Sequence, residues 1–176
     1  MNQSDVRVVR ELAKRYVEVC NADVQQERRE LWRKHNSLVG TRPLVYVRGW
    51  PVGEVPEAAV LECEDKFLRA YERSLRTLLY QSTIGDDYIF EPWITVPAKR
   101  VTHPDGLWGL KIGRIPSPEK GGSWMFDPPI KALEDAQRMV SPRHVIDEEA
   151  TARDVQKLRD VVGDIIEVNV DRAPVY

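Results

Sequence analysis

Three short apolar runs set the frame for what this chain can fold into. Residues 44–47 (Leu-Val-Tyr-Val), 88–90 (Tyr-Ile-Phe) and 165–170 (Ile-Ile-Glu-Val-Asn-Val) read as buried strands. Short runs rich in β-branched and aromatic residues, bounded by turn signals, suit a covered pleated surface. Between the first two lies a helical pattern over residues 57–80. There Val60, Cys63, Phe67, Leu68, Tyr71, Leu75 and Leu78 recur at i, i+3, i+4 spacing, with Glu64 the charged exception. Before the third run come a Trp-, Pro- and Gly-rich stretch, a short helix over 130–140 stopped by Pro142, and a last helix capped by Asp147. Val155, Leu158, Val161 and Val162 form the apolar face of that helix, and Gly163 stands where a C-terminal glycine belongs. Strand, helix, strand, insertion, helix, strand predicts an α/β fold with a parallel sheet and right-handed crossovers. Such a sheet needs cover on both faces, which these few helices do not supply.

Residues 1–40 form a separate helical arm by their pattern. Ser4 or Asp5 can cap a first helix carrying Val6, Val9, Leu12, Ala13, Tyr16 and Val17 at helical spacing. Asp23 can cap a second, very polar one, whose apolar anchors are Val24, Leu31 and Trp32. A helix this charged is expected to lie as a solvated face or to dock through its few anchors.

Composition removes several classes. Of 176 residues 42% are hydrophobic and 31% charged, so a folded chain with a well-solvated surface is expected. A formal net charge of −2 supplies no global field for nucleic acid or an anionic membrane. No apolar run approaches the ~20 residues of a membrane span, and the polar start lacks a secretory h-region. The cytoplasm is the expected location. Cys20 and Cys63 lack CxxC spacing and read as reduced, buried thiols. His35, His103 and His144 show no ligand spacing, so no metal site is assigned to this chain.

Five segments in order carry a resemblance. `RPLVYVRGWPVGEVPE` resembles the first strand and loop of uroporphyrinogen decarboxylases, and `CEDKFLRAYERSLRTLLY` sits where that family has its first long barrel helix. `GDDYIFEPW` resembles the second strand, `WGLKIGRIPSPEKGGSWMFDPPIKALEDAQRM` a β-segment leading into a helix, and `LRDVVGDIIEVNVDRAPVY` the third strand and its loop. The resemblance covers residues 41–176. The charged arm is similar to that of relatives associated with corrinoid-dependent methyl transfer. It implies a partial TIM (β/α)8 barrel: the first three βα units, with a β-rich insertion at 91–128 and the helical arm in front. A whole barrel needs about 250 residues. The chain is therefore expected to be inactive alone and to work with a second copy or a partner chain that completes the barrel. The resemblance places zinc and a corrinoid protein with that complete assembly, and neither cofactor with this chain by itself.

Barrel enzymes place function at the C-terminal ends of their strands. That rule selects Arg48 and Trp50, Glu91 and Trp93, and Asn169, Asp171 and Arg172 as substrate-facing residues. The resemblance makes Arg48 a carboxylate-binding residue, suited by its bidentate fork, with a salt bridge to Glu91 as the plain alternative. It makes Glu91 an acid/base or electrostatic stabiliser, with a loop carboxylate as the alternative. The family's second loop arginine is missing from `RGWPVGE`, which sets porphyrinogen decarboxylation below methyl transfer. Trp50, Trp93, Trp108 and Trp124 read either as the core of the insertion or as an aromatic pocket. A non-catalytic binding or assembly module derived from the barrel is the alternative function.

Overall fold

The computed structural model describes residues 2–48 and 60–174, and mixes helix with strand. Two compact units divide the chain: Met1–Val96 with Asp154–Asn169, and Pro97–Arg153 with Val170–Tyr176.

The first unit is built on helices. α1 (Gln3–Cys20) buries Asp5, Val9, Leu12, Ala13, Tyr16 and Cys20, a single stripe at 3.6-residue spacing. It packs on α3 (Lys66–Ile84), which buries Leu68, Glu72, Leu75 and Leu79. Asn2 caps α1 by accepting from the Ser4 N–H at 3.0 Å, ahead of Ser4 and Asp5, the residues expected for that task. α2 (Asp23–Asn36) has Ala22 at its cap position, without a side-chain bond. Asp23 is its first helical residue, where its charge still favours the positive end of the helix dipole.

α3 starts nine residues later than the periodicity predicts. Asp65 caps it, accepting from the Phe67 and Leu68 N–H groups, and Gly85 ends it in the left-handed conformation at φ 76°. Residues 62–64 stay irregular because their amides bond to carboxylates and not to helix carbonyls. The Glu62 and Cys63 N–H groups donate to the buried Glu72, and those of Glu64 and Asp65 donate to the buried Asp5. Residues 57–59, expected in this helix, lie outside the described residues.

The strands differ most from expectation. β1 (Trp93–Pro97) pairs with β6 (Glu167–Asp171), β2 (Arg100–Val101) pairs antiparallel with β5 (Val145–Ile146), and β3 (Gly113–Ile115) pairs antiparallel with β4 (Met125–Asp127). Among the described residues no sheet exceeds two strands. Residues 44–47 and 88–90 are not strands. Val45 and Tyr46 are 56% and 42% exposed, so the first run is no buried wall. The third run begins pairing at Glu167, two residues late, because the turn after α4 (Glu148–Val162) extends through Ile166, whose N–H bonds to Val162 O. α4 buries Val155, Leu158, Val161 and Val162, the expected face, and Asp147 accepts from the Ala150 N–H at its start.

The second unit carries the insertion. Within it residues 107–110 form turns and bends, and Gly106 and Gly109 take φ 99° and 67°. A Cβ on Gly109 would sit 2.9 Å from Val140 Cγ2, so only glycine fits this turn. Residues expected to give an apolar helix over 130–140 form a 3-10 helix (Leu133–Arg138) with none of its residues buried and Leu133 86% exposed. Trp108, Trp124, Met125 and Phe126 are also exposed, so the tryptophans of the insertion do not fill a core. No described helix is long and apolar enough to cross a membrane.

Candidate functional site

Residues 86–91 (Asp-Asp-Tyr-Ile-Phe-Glu) are heavily hydrogen-bonded, and the helical arm supplies most of the bonds to their main chain. Trp32 Nε1–H donates to Asp87 O at 2.7 Å, Arg28 to Tyr88 O at 3.2 Å, and Arg29 to Phe90 O at 3.3 Å. The Phe90 N–H donates to Gln25 Oε1 at 3.0 Å. The Tyr16 hydroxyl and the Cys20 thiol both donate to Glu91 O, at 3.1 and 3.4 Å. Side chains thus do what a neighbouring strand would do, which is why an apolar run that reads as a strand is not one. Gln25, Arg28, Arg29 and Trp32 fall at i, i+3, i+4 and i+7, one face of α2. Gln25 is 1% exposed and Arg28 9%, so this polar helix is not a freely solvated face. Periodicity counted over polar as well as apolar residues would have marked these four together.

Residues 44–48 lie alongside this stretch. Asp87 N–H donates to Val45 O at 2.8 Å, and the rings of Tyr46 and Tyr88 stack with centroids 5.2 Å apart. The Val45 and Val47 N–H groups donate to the carboxylates of Asp87 and Asp86, both nearly buried. Gln81 Nε2 adds a 2.7 Å bond to Asp86. Arg42 grips Asp87 through two bonds, at 2.9 and 2.5 Å. That guanidinium, aided by the Val45 amide and opposed by burial, holds the Asp87 carboxyl at about 2. A carboxyl depressed in the folded state stabilises the fold fully above its unfolded value of about 3.9, and the contribution is lost as pH falls through about 2. Arg42→Ala is therefore expected to raise the pH of the acid-unfolding midpoint, read by circular dichroism. An unchanged midpoint would remove this account.

The expected site residues divide between the units. In the first, Arg48 is exposed, with its guanidinium 5.2 Å from the Tyr46 ring centroid. Glu91 is half-buried and its cation is Arg29, at 3.0 Å, not Arg48. Trp93 opens β1 at 39% exposure, and Asn169 is half-buried in β6. In the second, Asp171 accepts from the Ala173 N–H, and Arg172 makes a two-bond pair with Glu148 at 2.6 and 2.8 Å. Trp50 lies outside the described residues.

The two thiols are buried. Cys63 is fully enclosed, and burial together with Glu72 pushes it up to about 12. Burial also raises Cys20. Among the described residues no group of three or more His, Cys, Asp or Glu is placed to hold a metal ion.

In the second unit a recess of about 580 Å³ is lined by Leu107, Trp108, Ile112, Phe126, Ile130 and Met139, among others. Of the tryptophans for which an aromatic pocket is one of two readings, Trp108 lines this recess among the described residues. Trp124 instead lies under the Arg114 guanidinium, 4.5 Å from its ring centroid.

No family model, curated protein or solved structure matches the chain.

Proposed function

We propose that this chain is the front part of a uroporphyrinogen decarboxylase-like enzyme acting in corrinoid-dependent methyl transfer, and that it contributes substrate-pocket residues. The reading rests on the order of five sequence segments and on one piece of geometry. Residues 45 and 87 are joined by a main-chain hydrogen bond, so the stretches carrying Arg48 and Glu91 lie side by side. In this reading the chain is the opening portion of a (β/α)8 barrel. Arg48, exposed and without a carboxylate partner among the described residues, is free to receive an anionic substrate group. Glu91 is the acid/base or stabiliser. Zinc and the corrinoid contact come from the remainder of the assembly.

The test is methyl transfer from methylcobalamin to an added anionic nucleophile by the complete assembly, which leaves cob(I)alamin and is followed by the loss of methylcobalamin's visible absorption. Arg48→Ala is expected to raise KM, and Glu91→Gln to lower kcat by about 10²-fold or more. Unchanged kcat and KM in both variants would overturn the assignment.

A second reading, a non-catalytic assembly module, is favoured by the engagement of the other charged candidates. Glu91 is held by Arg29 and Arg172 by Glu148. Full turnover in the Glu91→Gln assembly together with loss of assembly on removal of the chain would select it.

A further inference from the structure

A second recess lies in the second unit, at the ends of β2 and β5. The register that pairs Arg100 with Ile146 and Val101 with Val145 brings Thr102 and His144 to the same end of this two-stranded ladder. Around that end a concavity of about 130 Å³ is lined by Arg100, Thr102, Arg143 and His144, with Val101, Val145 and other apolar residues as walls. No acidic residue lines it. Arg100 donates from Nη2 to Ala173 O at 2.5 Å, while its Nε is buried without a hydrogen-bond acceptor. A buried guanidinium N–H left unpaired costs free energy and is uncommon in folded proteins. Arg143 and His144 form no ion pair among the described residues, although most arginines around them do. Thr102 adds a hydroxyl that can donate. Two arginines, a histidine and a threonine thus line a space the size of one small anion.

We propose that this recess binds a small oxyanion, a carboxylate or phosphate group. The forks of Arg100 and Arg143 suit the planar or tetrahedral oxygens of such a group through paired charge-assisted bonds. The site does not depend on the methyl-transfer reading. It would stand in an assembly of any activity.

The experiment uses the full chain with inorganic phosphate and, separately, acetate, titrated at constant ionic strength and followed by amide chemical shifts. Saturable shifts at residues 100–102 and 143–145 are expected with at least one anion. Acetate alone identifies a carboxylate site, phosphate alone a phosphate site, and both a general oxyanion site. Arg143→Ala, at an exposed position where folding is expected to survive, should weaken binding by about tenfold or more. Lys111→Ala, which removes an exposed cation elsewhere in the same unit, should leave it unchanged. No saturable shift with either anion, or equal weakening by the two variants, would overturn the proposal.

Discussion

Replacing Phe90 with alanine is expected to lower the free energy of unfolding by about 3–5 kcal/mol. Phe90 is fully buried. Its ring meets Tyr16 edge-on with centroids 6.3 Å apart and Tyr88 at 4.7 Å. Removing it opens a cavity between α1 and the 86–91 stretch, and it also loosens the segment whose main chain the arm holds. The check is a urea titration, where the midpoint should fall with little change in slope. Gln25→Ala probes the same place from the other side. It leaves the Phe90 N–H buried without an acceptor and should cost about 1–3 kcal/mol. A loss below about 1 kcal/mol for Phe90→Ala would mean that this ring is not part of the core.

Glu72→Ala is expected to have a comparable effect, about 3–5 kcal/mol. Glu72 is fully buried within α3 and accepts from the Glu62 N–H at 2.9 Å, the Cys63 N–H at 2.9 Å and Arg76 Nε at 2.9 Å. Burial alone would raise its carboxyl, but the Glu62 and Cys63 amides, then the Cys63 thiol and Arg76, hold it below the ordinary value. Deleting the carboxylate leaves two amides without their acceptor and takes one of two carboxylate partners from a mostly buried guanidinium, which keeps Glu62. Glu72→Gln keeps one acceptor oxygen and should lose only about 1–2 kcal/mol. Equal losses for the two substitutions would show that the amide oxygen kept by glutamine does not replace the carboxylate, and that side-chain volume is not what matters here.

Helices were legible in the sequence wherever burial follows a 3.6-residue period. Val9, Leu12, Ala13 and Tyr16, then Leu68, Leu75 and Leu79, then Val155, Leu158, Val161 and Val162 lie on the faces that their spacing marks. The start of α3 was not legible, because the pattern continues through Val60 and Cys63 while two distant carboxylates take the amides that a helix would need. The strands were the least legible. Residues 44–47 and 88–90 have strand composition, but a short apolar run does not say which groups will bond to its main chain. Here those groups are Asp86, Asp87 and the polar face of α2. Glu91 stood out by its place after an apolar run. Its partner Arg29 did not, because it belongs to a helix whose charge reads as solvation. In the insertion, glycine and proline announced turns correctly, but nothing in `WGLKIG` fixed which turn, since that depends on the approach of Val140.

The side-chain ladder from α1 and α2 carries a practical consequence. Shortening the protein to begin near residue 40 looks harmless on paper, because the deleted part is the most hydrophilic of the whole. The cut would instead leave the carbonyls of Asp87, Tyr88, Phe90 and Glu91 and the amide of Phe90 bare beside an apolar surface. Such a product should be recovered from expression as insoluble material, and supplying the missing 40 residues as a separate peptide should restore it to solution.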